Sequence, residues 1–71
     1  MQVKVGKLGK QTVELTLEAN SNVAVALNTA RDAGVESEGY AAYVNDMQVE
    51  NDGILHDGDI LILHKVIKGG R

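Results

Sequence analysis

The segment with the clearest chemical potential is Val66-Ile67-Lys68-Gly69-Gly70-Arg71, a glycine pair thrown off the end of an aliphatic run. Glycine has no Cβ, so Gly69 and Gly70 are slim and free enough to thread a narrow enzyme channel. A glycine pair beyond a packed strand therefore makes a good handle for a partner enzyme. A frayed, solvated tail has the same composition. The meaning of the pair depends on what precedes it.

The remaining reactive residue types form no convincing constellation. The 71-residue chain contains no Cys, so it has neither a thiol nucleophile nor disulfides nor thiolate metal ligands. Ser21 and Ser37 have no nearby His in sequence and read as a cap and a loop residue. His56 and His64 share the C-terminal segment but lack a third ligand at metal-binding spacing. Gly6-Lys7-Leu8-Gly9-Lys10-Gln11-Thr12 mixes Gly and Lys as a phosphate loop does. It lacks the Gly-Lys-Ser/Thr order and precedes a strand rather than a helix. Asp52, Asp57 and Asp59 fail the spacing of a calcium loop and read as solvated turn acids. The expectation is a non-enzyme with no catalytic residue, no metal site and no permanently bound cofactor.

The elements that must position the tail are legible as alternations and turns. Val13, Leu15 and Leu17 alternate with Thr12, Glu14, Thr16 and Glu18. With Val3, Val5 and Leu8 before them, they read as a β-hairpin whose turn begins at Gly6 or Gly9. Asn20-Ser21 offers a helix N-cap, and Val23, Ala26, Leu27 and Ala30 make one apolar stripe. Gly34 followed by Val35 suits a helix stop, so the helix should run about 22–33. Tyr40 to Val44 reads as a strand, Asn45-Asp46 as a turn, and Met47 to Val49 as a short edge strand. Ile54-Leu55 is a brief apolar anchor. Asp57-Gly58 then launches a last strand, Ile60 to Ile67. Because Ile60, Leu61, Ile62 and Leu63 are all apolar, that strand should be central, buried on both faces and parallel to the first. The order predicts an α+β, β-grasp fold: a mixed sheet of four to five strands with one helix across one face.

One small domain fits the length, with a globular part at 1–67 and a flexible diglycine tail at 68–71. Without Phe or Trp, the core must be aliphatic, with Tyr40 and Tyr43 as the aromatics. A net charge of −3 argues against nucleic-acid binding. Lys4, Lys7 and Lys10 cluster at the hairpin, Lys65 and Lys68 lie near the tail, and most acids fall between Glu14 and Asp59. That distribution fits an ordinary mixed surface or, more sharply, a partner surface around the termini. No membrane-spanning run or signal peptide is recognisable and Met1 looks like a native start, which points to a cytoplasmic protein.

Three segments of the second half resemble the ubiquitin-like sulfur carriers, namely the small subunit of molybdopterin synthase and the thiamine sulfur-carrier protein. Val44-Asn45-Asp46-Met47-Gln48-Val49 is similar to their Val-Asn-Gly-x-x-Val stretch. Leu55-His56-Asp57-Gly58-Asp59-Ile60-Leu61-Ile62 resembles Leu-x-x-Gly-Asp-x-Val-x-Ile, and Val66-Ile67-Lys68-Gly69-Gly70 resembles their Val-x-Gly-Gly ending. Over residues 1–43 the likeness is architectural only. Asp46 replaces the family's turn glycine, a mild departure since Asp tolerates left-handed backbone. Arg71 after the glycine pair is the larger departure.

The resemblance implies a ubiquitin-like carrier or modifier. In those proteins a partner enzyme uses ATP to adenylate the terminal glycine carboxylate, which then becomes a thiocarboxylate, a thioester or an isopeptide. Gly69 and Gly70 would be the activated end here. Lys65, Val66, Ile67 and Lys68 would dock the tail, and Arg71 would be trimmed by a processing peptidase. Implied partners are the adenylating enzyme, that peptidase, and a sulfur-accepting synthase or tagged target proteins. The alternative is a β-grasp interaction domain that uses a sheet face or edge and has an unreactive tail.

Overall fold

A computed structural model describes residues 1–66. The elements are β1 (Gln2–Lys7), β2 (Thr12–Thr16), α1 (Val23–Asp32), β3 (Tyr40–Val44), β4 (Met47–Val49) and β5 (Ile60–Lys65). The strands form a five-stranded sheet in the order β2-β1-β5-β3-β4. β1 and β5 pair in parallel, and every other neighbouring pair is antiparallel. The expected mixed sheet with a central last strand is the one observed.

The hairpin turn forms at Gly9, not Gly6. β1 runs through Gly6, which pairs with Thr12. A Cβ on Gly6 would lie 2.9 Å from both the Gln11 carbonyl oxygen and the Thr12 Cα, so only glycine allows this close approach. Leu8, expected to continue the alternation, therefore falls beyond β1 and is 64% exposed.

The helix is capped by Asn22 rather than by Asn20-Ser21. The Asn22 backbone is extended, and its side chain accepts a hydrogen bond from the Val25 amide at 3.0 Å. An isolated bridge to Ile54 holds Asn22 extended until the helix begins. Ser21 instead donates its hydroxyl to the Glu18 carbonyl, and Asn20 takes a positive φ in the preceding turn. The helix stops as its sequence suggests. Val35 N–H donates to Ala30 and Gly34 N–H to Arg31, the paired bonds of a Schellman cap, with Gly34 at φ 95°.

The helix presents Val23, Ala26 and Ala30 to the sheet, where they join Val3, Val5, Leu15, Leu61 and Leu63 in one core. Two alanines at the contact let the helix approach the strands closely. Leu55 plugs the core below β4, but its neighbour Ile54 is exposed, so the apolar anchor is one residue long. β5 also departs from expectation. It ends at Lys65, and Ile67 lies outside the described residues. It is central but buried on one face only: Leu61 and Leu63 are enclosed, while Ile60 is 46% exposed. The physical reason is that a single helix covers a single face of the sheet.

This packing assigns unequal roles to neighbouring residues of one strand. Leu61→Ala should cost about 2–5 kcal/mol, the range for emptying a fully enclosed leucine site. Ile60→Ala should cost less than about 1 kcal/mol, because its side chain is half in water already. Urea unfolding of the two variants measures both. Equal losses would place the core on the wrong face of β5.

Candidate functional site

Register fixes which side chains share the open face of the sheet. β5 places Ile60, Ile62 and His64 there, alternating with the buried Leu61 and Leu63. Tyr43 lies opposite Ile62 and Ala41 opposite His64 on β3. Leu8, just past β1, reaches the same surface. Together Leu8, Tyr43, Ile60, Ile62 and His64, with the Asn45-Asp46 turn, line a shallow groove of about 250 Å³. The His64 and Tyr43 rings stack at 4.3 Å between centroids, tilted by 46°.

Each wall of this groove has a local cause. Asn45 and Asp46 both adopt positive φ, 53° and 66°, the conformation of a tight hairpin turn whose twist matches its strands. At the other end of β5, the Val66 N–H donates to the Gly39 carbonyl at 3.0 Å. This is the last backbone anchor among the described residues. Lys65, paired with Tyr40, and Val66 are both exposed. The strand that lines the groove is thus continuous with the segment that leads to the tail.

Of the expected docking residues, Lys65 ends β5 and Val66 follows it, both within what the sequence reads as strand. Ile67, Lys68, Gly69, Gly70 and Arg71 lie outside the described residues, as does the expected flexible tail. The parallel pairing of β1 and β5 brings the hairpin turn to the tail exit, so Lys7, Lys10 and Lys65 share that end of the sheet. The Lys7 ammonium sits 4.7 Å above the Tyr40 ring, a cation–π contact. Residues 32–64 contain no Lys or Arg but hold eight acids.

The histidines are in unrelated settings. His56 Nδ1 is 3.9 Å from the Asp59 carboxylate, with which its backbone N–H also forms a hydrogen bond. His64 packs on the open face. Asp57 accepts the Gln2 N–H at 2.7 Å and closes the start of β1. Among the described residues no three His, Cys, Asp or Glu side chains converge on a point. No helix among them is long and apolar enough to cross a membrane.

Three solved structures share this architecture. SAMP1 from Haloferax volcanii superposes with a TM-score of 0.76 at 17% identity, covering 99% of this chain and all of that one. The ubiquitin of Caldiarchaeum subterraneum gives 0.72 at 17% identity over 99% of this chain and 98% of its own. A ubiquitin-like protein from the same hyperthermophilic archaeon gives 0.61 at 16%, over 97% and 100% of the two chains. The chain has the ubiquitin-like β-grasp fold. No protein-family model and no curated protein sequence matches it.

The apolar open face was missed by reasoning from sequence. The unbroken Ile60-Leu61-Ile62-Leu63 run was read as burial on both sides, and the run itself does not tell a covered face from an open one. A patch that folding does not use should tolerate polar substitution. Leu8→Ser should change unfolding free energy by less than about 0.5 kcal/mol, measured by urea titration. A loss comparable to that of a core truncation would make Leu8 a structural residue and remove it from the site.

Proposed function

We propose that this protein is a ubiquitin-like carrier or modifier, not itself an enzyme, whose Gly70 carboxylate is activated by an ATP-dependent partner enzyme. The observation that carries the reading is the continuity of the central strand with the tail. β5 ends at Lys65, and the sequence continues through Val66 to Ile67-Lys68-Gly69-Gly70. A rigid body then presents a slim reactive end, and the apolar face beside it offers a docking surface. The likeness in fold to proteins named ubiquitin and SAMP1 supports the same reading, as does the order of the three sequence segments.

The chemistry follows from the carboxylate. A peptidase first hydrolyses the Gly70–Arg71 bond. An oxygen of the Gly70 carboxylate then attacks the α-phosphorus of ATP, forming the acyl–adenylate, and pyrophosphate leaves. A sulfur nucleophile or an amine next attacks the acyl carbon and displaces AMP. The protein supplies position rather than catalytic groups. Holding the carboxylate against the α-phosphorus lowers the barrier by several kcal/mol, on the order of the gain from converting two reactants into one complex. The setting is cytoplasmic, where ATP is plentiful. The second reading is an interaction domain that uses the Leu8–Ile62–His64 face with no reaction at the tail. The exposed groove itself favours that alternative.

ATP–pyrophosphate exchange with an adenylating enzyme of the ubiquitin-activating type separates the two readings. The chain ending at Gly70 should support exchange. The chain ending at Arg71 should react far more slowly, because one extra residue displaces the carboxylate by roughly 3.5 Å. Gly70→Val in the shortened chain should also block exchange without altering thermal unfolding. Leu8→Ser should raise KM more than it lowers kcat, as expected of a docking contact. Equal rates for all chains, or exchange with none, would leave the interaction domain.

A further inference from the structure

A second hollow opens where β4 leaves β3. The last pair between these strands is Ala42 with Val49, so Tyr40 and Ala41 continue β3 without a β4 neighbour. Alanine side chains at 41 and 42 are too small to fill the space that this leaves. The result is a hollow of about 330 Å³. Leu27 of the helix, Tyr40, Val49 and Val66 give it an apolar lining. The first three are only partly buried, and Val66 is 49% exposed. None of the four lines the groove around Leu8, Ile62 and His64.

Glu50 is the one charged side chain on that lining. Among the described residues no Lys, Arg or His pairs with its carboxylate. An occupant that suits the hollow therefore offers an aliphatic side chain beside a cation.

The chain continues from the wall of the hollow with that pair of residues. Val66 is part of the lining, and Ile67 and Lys68 follow it directly. We propose that the hollow receives the chain's own Ile67, with Lys68 paired to Glu50, as an autoinhibitory contact of the tail. Continuity selects this occupant: a side chain one residue from the wall is present at a far higher effective concentration than any free partner. Two residues of extended chain reach about 7 Å, so Lys68 stays close to the rim that holds Glu50. The contact is weak, since one aliphatic side chain and one exposed ion pair carry it. Its consequence is a shortened reach. With Lys68 held, two residues lead to Gly70 instead of the four beyond Val66, about 7 Å of chain rather than about 14 Å. A partner with a deeper channel must first release Ile67. Loss of Arg71 would take away one of the two cations that follow Val66 and so favour release. The docking itself does not depend on the carrier reading, and its test needs no activating enzyme.

The test is nuclear magnetic resonance of the ¹³C,¹⁵N-labelled full chain beside a chain that stops at Val66. The amide signals of Leu27, Val49 and Glu50 should differ between the two, by the same amount at micromolar and millimolar concentration. In the full chain the Ile67 methyl groups should show cross-relaxation with those of Leu27 and Val49. Ile67→Ser should move the three amides towards their positions in the shortened chain. Glu50→Lys, at an exposed position, should do so in part, and adding Lys68→Glu to it should restore at least half of the shift. Amides at Leu27 and Val49 that ignore the loss of residues 67–71 would refute the docking. So would differences that grow with concentration, which would put a second copy in the hollow, or a charge-swapped chain no closer to the full chain than Glu50→Lys alone.

Discussion

The parallel contact between β1 and β5 is the constraint on which the rest of the molecule depends. Val5 and Leu61 lie side by side in that register, and both are wholly enclosed. The strands come from opposite ends of the sequence, so everything between them must be folded for the contact to close. Bonds on either side lock the pairing in place: Lys4 N–H donates to the Asp59 carbonyl, and Leu8 N–H donates to the Leu63 carbonyl. The Gly58 amide donates to Gln2, whose own amide donates to the Asp57 carboxylate. With no Cys for a disulfide and no Phe or Trp in the chain, this long-range pairing carries the fold, and its slow closure is expected to set the folding rate.

One helix laid over this pair then determines where function can sit. Ala26 and Ala30 are both fully enclosed, and small side chains there bring the helix down onto Val3, Val5 and Leu61. Among the described residues nothing covers the sheet's other side. Its β-strand residues still need high strand propensity, which Ile60, Ile62 and Tyr43 supply. The same residues that favour extended backbone thus leave an apolar surface in water. The side chains that form a central strand are the same ones that make up the docking surface proposed for this face.

The fold was legible because each boundary has a local chemical cause. The Gly34 stop, the Asn45-Asp46 turn and the Asp57-Gly58 turn all require backbone that the named residues adopt easily. One boundary was left open and one was misplaced where tertiary contacts override local preference. Gly6 and Gly9 both read as the start of the hairpin turn, but Gly6 is a strand glycine kept for its close approach to Thr12. Asn20-Ser21 reads as a cap, yet the bridge between Asn22 and Ile54 moves the helix start. The site was less legible than the fold. Lys65 and Val66 stand out in sequence, but the groove around Ile62 joins residues from β3, β5 and the hairpin turn, and only register brings them together. A run of four aliphatic residues cannot reveal that two of them face water.

The last anchored amide among the described residues also bounds how a partner could use the tail under the proposed function. Val66 N–H is tied to Gly39, and Gly70 lies four residues beyond Val66 in the chain. Fully extended, four residues span at most about 14 Å. A partner that grips the globular part as far as Val66 must therefore hold its reacting centre within that distance. A longer channel would have to unpair Lys65 from Tyr40 and pull on β5, the strand at the centre of the sheet. A much shorter one would bring the partner's walls against Lys7, Lys10 and Lys65 at the tail exit. Acidic walls at that depth would be drawn in and basic walls repelled. Under the proposed carrier function, the depth of a partner's channel follows from the backbone, and the sign of its lip from the three lysines.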